Sequence, residues 1–278
     1  MENYVDEKVI VITGAAGGFG QLVGEKAAAM GARIVAADVN AQALVDVVAG
    51  INERGGSTIA IPTDVTDRKQ MRSLAAAAVD EFGSLDVMIN NAGTMPMAFY
   101  ADHEIAAEAW DRCIDINLKG VLNGINAAHD QMIKQGRGHV INISSIVANA
   151  PVAGCAVYGA TKAAVVFLSE ALRVESQGKI KVTIVRPSGV PSTGLNDTVI
   201  NPASGVGIMG QHASAANEKF AALQSGQYPA EWMDKDHIEY FLLDAPTLAE
   251  QIVYAINQPW GVVISDITVR ASGESFIL

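Results

Sequence analysis

Cysteine is scarce in this chain: Cys113 and Cys155 are the only two in 278 residues, and their spacing matches neither a metal site nor a disulfide framework. Both read as small buried hydrophobes in a reducing, cytoplasmic setting. Basic residues are also few, 19 Lys and Arg against 30 Asp and Glu, for a net charge of −11. Nothing resembles a basic stripe, which excludes a protein that grips phosphate backbones, so no nucleic-acid partner is expected. The acidity is spread along the chain, where it favours solubility. Long apolar runs are missing too. The most lightly charged stretch, 140–161, contains Asn142, Ser144, Ser145, Asn149 and Pro151, so no membrane span is expected. The first eight residues are polar and acidic, without the basic and apolar regions of a signal peptide. Internal repeats, charge blocks and low-complexity linkers are absent as well.

What is present is a chain half hydrophobic by composition, long enough to bury a sizeable core. Short apolar runs alternate with segments of helical spacing. Strands are predicted at 9–12, 33–37, 58–61, 85–89, 140–143, 181–185 and 262–269. Helices are predicted at 21–30, 41–54, 67–82, 110–135, 158–177 and 248–257. The strand runs are continuously apolar, as in strands covered on both faces. Regular alternation of this kind implies an α/β fold, a doubly wound parallel sheet with helices on both sides. One domain is expected over 1–278. Its rhythm breaks only at 192–245, read as a substrate-binding insert with short helices near 215–223 and 231–241.

The first strand runs into Thr13-Gly14-Ala15-Ala16-Gly17-Gly18-Phe19-Gly20. In a turn between a strand and a helix, one glycine permits the bend, one lets a pyrophosphate approach the backbone, and one lets the helix pack close. The helix start then presents free N–H groups to the phosphates. The second strand ends at Asp38, placed to accept hydrogen bonds from ribose hydroxyls and to repel a 2′-phosphate. No Arg or Lys occupies 15–19 or 39–41 to offset that repulsion. NAD is therefore expected as cofactor rather than NADP.

Tyr158 and Lys162 are four apart on a predicted helix and so share a face. An ammonium beside a phenol stabilises the phenolate and would lower the tyrosine pKa from about 10 toward neutral. A tyrosine tuned that way exchanges a proton with an alcohol or ketone. Ser145, thirteen residues upstream, carries a hydroxyl that can hold the same substrate oxygen. This constellation needs no metal.

With these residues in place, the chain resembles the short-chain dehydrogenase/reductase family over roughly residues 6–270. Thr13-Gly14-x-x-x-Gly18-x-Gly20 is similar to its cofactor loop, with Phe19 inside it. Asp64-Val65 after the third strand is similar to its adenine-side pair. Asn90-Asn91-Ala92-Gly93 is similar to its Asn-Asn-Ala-Gly segment, and Asn117 falls where the family keeps a helical asparagine. The resemblance implies a Rossmann-type fold. It implies that Tyr158 is the general acid/base, that Lys162 lowers its pKa and holds the nicotinamide ribose, and that Ser145 orients the substrate oxygen. Asn117 would kink its helix and hold a water beside the lysine. The resemblance also implies cofactor contacts from Asn90, Ala92, Gly93, Pro187 and Val190, and from Ser192 or Thr193. Of the two adjacent serines, Ser145 is favoured over Ser144 by the spacing to Tyr158.

One departure is visible: the family's Pro-Gly after the sixth strand reads Pro187-Ser188-Gly189-Val190-Pro191-Ser192-Thr193 here, with the glycine displaced by one. The implied reaction is hydride exchange between a secondary alcohol and NAD. Met95, Met97, Phe99, Ile208, Met209 and Phe220, with further apolar residues of the insert, suggest a bulky hydrophobic substrate of steroid, terpenoid or aryl type. Two other readings are a 3-oxoacyl-carrier-protein reductase, which the acidic balance and Asp38 oppose, and a non-catalytic NAD(H) sensor, which the retained Tyr158 and Lys162 oppose. A homotetramer or homodimer through the helices at 110–135 and 158–177 is the expected assembly.

Overall fold

The Val9–Thr13 run (β1) is apolar at every position before its last, and it sits in the interior of a seven-stranded sheet with all five residues buried. The computed structural model describes residues 2–191 and 193–278. Around β1 lie β2 (Arg33–Asp38), β3 (Ser57–Pro62), β4 (Val87–Asn90), β5 (Gly138–Ile143), β6 (Ile180–Pro187) and β7 (Asp266–Val269). All pair in parallel, in the order β3-β2-β1-β4-β5-β6-β7. This is the Rossmann-like α/β arrangement.

Alternation along each strand divides the core between two faces. Ile10 and Ile12 of β1 join Ile34, Ile89 and Ile141 on one face, beneath α1 (Gly18–Ala29) and α9 (Ala245–Ile256). Val9 and Val11 join Val35, Met88 and Val140 on the other, beneath α3 (Arg68–Phe82), α5 (Val121–Gln135) and α6 (Ala156–Glu175). Each fully buried side chain of this kind contributes about 1.5–3 kcal/mol. The helix α2 (Ala41–Glu53) completes the first face, capped by the Asn40 side chain, which accepts from Ala43 N–H at 3.2 Å. Asp67 caps α3 in the same manner, accepting from Lys69 N–H at 2.7 Å.

Three elements differ from the sequence expectation. The helix predicted at 110–135 starts earlier, as α4 (His103–Ile114), and passes through a π-helical turn at Asp115–Gly120 before continuing as α5. The final strand is shorter than 262–269. The carbonyls of Val262 and Ile264 accept from Lys181 Nζ (2.8 Å) and Thr183 Oγ1 (2.7 Å), side-chain bonds that take the place of ladder pairing. No helix forms over 231–241 beyond a short 3-10 turn at Ala230–Trp232. There Asp234 Oδ1 accepts from Asp236 N–H and His237 Nδ1 from Glu239 N–H, local bonds that compete with helix formation. The helix expected near 215–223 is present as α8 (Ala213–Ser225), preceded by one turn, α7 (Val206–Met209). Among the described residues, no helix is long and apolar enough to cross a membrane.

Candidate active site

Strand order reverses between β1 and β4, so their following connections run to opposite sides and leave a crevice at the carboxyl ends of the strands. A cavity of about 1100 Å³ occupies it. The turn after β1 forms one wall. Gly14 and Gly18 hold φ of +67° and +53°, a conformation that side chains disfavour. Gly20 is excluded from substitution by contact: a Cβ there would lie 2.2 Å from the Gly14 carbonyl oxygen. Gly17 caps α1 with no side-chain bond to the first-turn N–H groups, and that turn carries no acidic residue. It is a cradle suited to a diphosphate.

Asp38, at the end of β2, lines the same cavity. Its carboxylate accepts from Ala16 N–H at 3.1 Å and Asn40 N–H at 2.9 Å. A carboxylate offers about four acceptor positions, so capacity remains for ribose hydroxyls. Among the described lining residues, Lys162 is the only lysine or arginine.

The other end of the cavity collects Ser145, Tyr158 and Lys162. Ser145 leaves β5 in an extended conformation, and its hydroxyl accepts from Val147 N–H at 3.4 Å. Tyr158 and Lys162 lie in the first two turns of α6, with Lys162 Nζ 5.7 Å from the centre of the Tyr158 ring. Lys162 Nζ donates to the Ile143 carbonyl at 2.8 Å. Ser144 is engaged elsewhere, donating from Oγ to the Lys162 carbonyl at 2.9 Å.

The electrostatics correct one expectation. Burial pushes the Tyr158 phenol well above its ordinary value, and the Ser145 hydrogen bond opposes this without overcoming it. The cause is desolvation, since burial penalises the charged phenolate. Burial also pushes Lys162 down, to about 8. Both shifts have one cause, the loss of water around the pair, which penalises the charged form of each.

Asn117 sits fully buried in the π-helical turn. Its Oδ1 accepts from Thr94 N–H at 2.9 Å, and its Nδ2 donates to the Thr94 carbonyl at 2.8 Å and toward Thr161 Oγ1 at 3.3 Å. The side chain thus ties the segment after β4 to α6, the helix that carries Tyr158.

Gly14, Gly18, Phe19, Asp38, Ala92 and Gly93 line the cavity, as do Pro187, Val190 and Thr193. Ser192 lies outside the described residues. Three expected cofactor residues are placed elsewhere. Asn90 turns into the core, where its Nδ2 donates to Asn142 Oδ1 at 2.8 Å. Asp64 faces a separate small pocket beside Arg112, and Val65 packs under the sheet. Strand alternation explains Asn90: its neighbour Asn91 faces the crevice, donating from Nδ2 to the carbonyls of Thr13 (2.9 Å) and Gly14 (3.1 Å). Asn91 was legible in the same motif, one position on. Of the apolar residues named from the sequence, Met95, Met97, Ile208, Met209 and Phe220 line the cavity, and Phe99 is not among its lining residues.

Comparison with known proteins agrees with this geometry. The short chain dehydrogenase family model matches residues 8–203. An uncharacterized oxidoreductase of Staphylococcus saprophyticus is 34% identical over 278 residues, covering 98% of this chain and 99% of the relative. Another, from Staphylococcus epidermidis, is 30% identical over 267 residues, covering 96% and 98%. A short-chain dehydrogenase/reductase from Burkholderia phymatum, solved in complex with NAD, superposes with a TM-score of 0.74 at 29% identity, covering 96% of this chain and 90% of that one. An alcohol dehydrogenase from Thermococcus sibiricus, complexed with 5-hydroxy-NADP, shares the fold with a TM-score of 0.76 at 20% identity over 96% and 98% of the two chains. With the family model spanning most of the sheet and both ends of the crevice, this chain belongs to the short-chain dehydrogenase/reductase family of oxidoreductases.

Proposed function

We propose that this oxidoreductase interconverts a secondary alcohol and a ketone with NAD(H), on a substrate whose distal part is bulky and apolar. The observation that carries the reading is the joining of Asp38 and the Ser145–Tyr158–Lys162 group by one continuous cavity. The residues present fit a dinucleotide. The α1 start and the Gly14–Gly18 turn would hold the pyrophosphate, Asp38 the adenosine ribose, Lys162 the nicotinamide ribose and Val190 the carboxamide side. When bound, the nicotinamide supplies or accepts the hydride.

The chain's own residues manage the substrate oxygen and its proton. Ser145 and Tyr158 bond that oxygen. In ketone reduction, Tyr158 starts with its proton in place and donates it as the oxygen becomes an alkoxide. Lys162 stabilises the phenolate left behind. In the reverse direction, Tyr158 takes the hydroxyl proton. Met95, Ile208 and Phe220 exclude water from the carbon framework.

Asp38 and the absence of a lining cation other than Lys162, among the described residues, support NAD over NADP. The test is Tyr158→Phe, assayed at 340 nm with secondary alcohols and their ketones. Loss of general acid/base catalysis predicts a fall in kcat of roughly 10²–10⁴, with NADH affinity retained. Retention of more than about a tenth of the wild-type kcat, a smaller loss than that range allows, would overturn the assignment.

A further inference from the structure

The displaced glycine after β6 has a structural counterpart 87 residues later. A Cβ at Gly189 would come within 2.6 Å of two ring atoms of Phe276. The backbone of Gly189 is not in the left-handed region, so the Phe276 ring is the group that fills the space. Both residues line the cavity.

The segment that carries Phe276 is anchored along its length. Gly273 N–H donates to the Tyr240 carbonyl at 2.7 Å, and Ile277 N–H donates to the Ile208 carbonyl at 3.0 Å. Arg270 pairs with Glu274 and donates from Nη2 to the Phe276 carbonyl at 3.0 Å and from Nη1 to the Leu278 carbonyl. Gly210 leaves room for Ile277, whose Cδ1 would lie 2.6 Å from a Cβ there. Leu278 packs against the cluster that contains Met97, Val147 and Tyr158. So many fixed points describe a wall and not a loose end.

We propose that residues 274–278 form the outer wall of the substrate end of the cavity, and that Phe276, seated on Gly189, sets the upper limit on substrate size. The inference rests on the alcohol/ketone reading above and deepens it. The Phe276 ring, with Met95, Ile208 and Phe220 lining the same cavity, limits how large the apolar part of that substrate can be. The limit is coded jointly by two positions, because the ring can stand where it does only while position 189 lacks a side chain.

The experiment uses the full chain and three alcohols of increasing size: 2-butanol, 1-phenylethanol and 1-(2-naphthyl)ethanol. Turnover with NAD is measured as kcat/KM. Binding to the enzyme–NADH complex, where no hydride can be passed on, is followed by NADH fluorescence. Phe276→Ala is expected to raise the preference for the naphthyl alcohol over 2-butanol by about tenfold or more, since even single methylenes in apolar pockets shift selectivity by 10-fold or more. Gly189→Ala is expected to change the same ratio by displacing the ring, and that effect is expected to vanish in the Phe276→Ala background. An unchanged size profile in both single variants would overturn the wall. So would independent, additive effects of the two substitutions, which would show that the ring is not seated on Gly189. If the wild type neither binds nor turns over any of the three, the alcohol/ketone reading fails and the wall falls with it. Binding with an unaltered size profile removes the wall alone.

Discussion

Acid should loosen this fold through one buried imidazole. His139, in β5, is 1% exposed. Its Nε2 lies 2.7 Å from Thr183 Oγ1, and that hydroxyl donates its proton to the Ile264 carbonyl at 2.7 Å. Thr183 can then only accept from the ring, which places the imidazole proton on Nε2 in a neutral tautomer. Burial, with Lys181 and Lys8 nearby, pushes the pKa from 6.5 down to about 3. The unfolded chain takes up a proton below pH 6.5 that the fold refuses until about pH 3. The contribution is therefore complete above 6.5 and is lost as the pH falls through that window. At roughly 1.4 kcal/mol for each pH unit, the loss approaches 3 kcal/mol by pH 4.5. Urea unfolding followed by circular dichroism at pH 7.5 and 4.5 would measure it, with His139→Gln as reference. Gln keeps a donor for Thr183 but does not titrate, and carboxylate effects common to both proteins cancel. Wild type should lose about 2–3 kcal/mol more than the variant over that range. Parallel losses, or a His139 resonance titrating near 6.5, would refute the reasoning.

Two further substitutions address the site. Asp38→Ala should relax coenzyme choice, raising kcat/KM with NADP relative to NAD by tenfold or more, in line with removal of a charge that repels a 2′-phosphate (about 1.4 kcal/mol or more); unchanged selectivity would remove Asp38 as the ribose reader. Asn117→Ala should leave the Thr94 N–H without its partner and the Thr94 carbonyl with only the weak Cys113 Sγ contact at 3.7 Å, lowering stability by about 1–3 kcal/mol. It should also reduce kcat more than it weakens NADH binding; a drop in Tm with unchanged kcat would confine Asn117 to a structural part.

Local motifs made the cofactor turn and the proton-transfer group readable in the sequence. Gly14, Gly18 and Asp38 sit within one strand–turn–helix–strand unit, and Tyr158 and Lys162 within one helical turn, so neighbours in sequence became neighbours in space. The sheet was equally readable, because buried parallel strands are written as short apolar runs. Asn90 and Asn91 are harder to tell apart, because adjacent identical residues differ in the face they take: the Asn90 side chain bonds Asn142 in the core, and that of Asn91 bonds Thr13 and Gly14 beside the crevice. Phe276 had no local signal at all: its importance comes from contact with Gly189, and no periodicity links positions so far apart. The phenol of Tyr158 was misjudged in direction because i,i+4 spacing reports proximity but says nothing of how much water the pair has lost.

Thr13 joins the two strands that flank the crevice. Its hydroxyl donates to the Ile89 carbonyl (3.2 Å) and accepts from the N–H groups of Asn91 (3.0 Å) and Ala92 (3.2 Å). A hinge along that seam would have to break all three bonds together, at roughly 1 kcal/mol or more apiece. The floor of the crevice is in effect riveted shut. Any motion that opens or closes this crevice must therefore run elsewhere than along the β1–β4 seam.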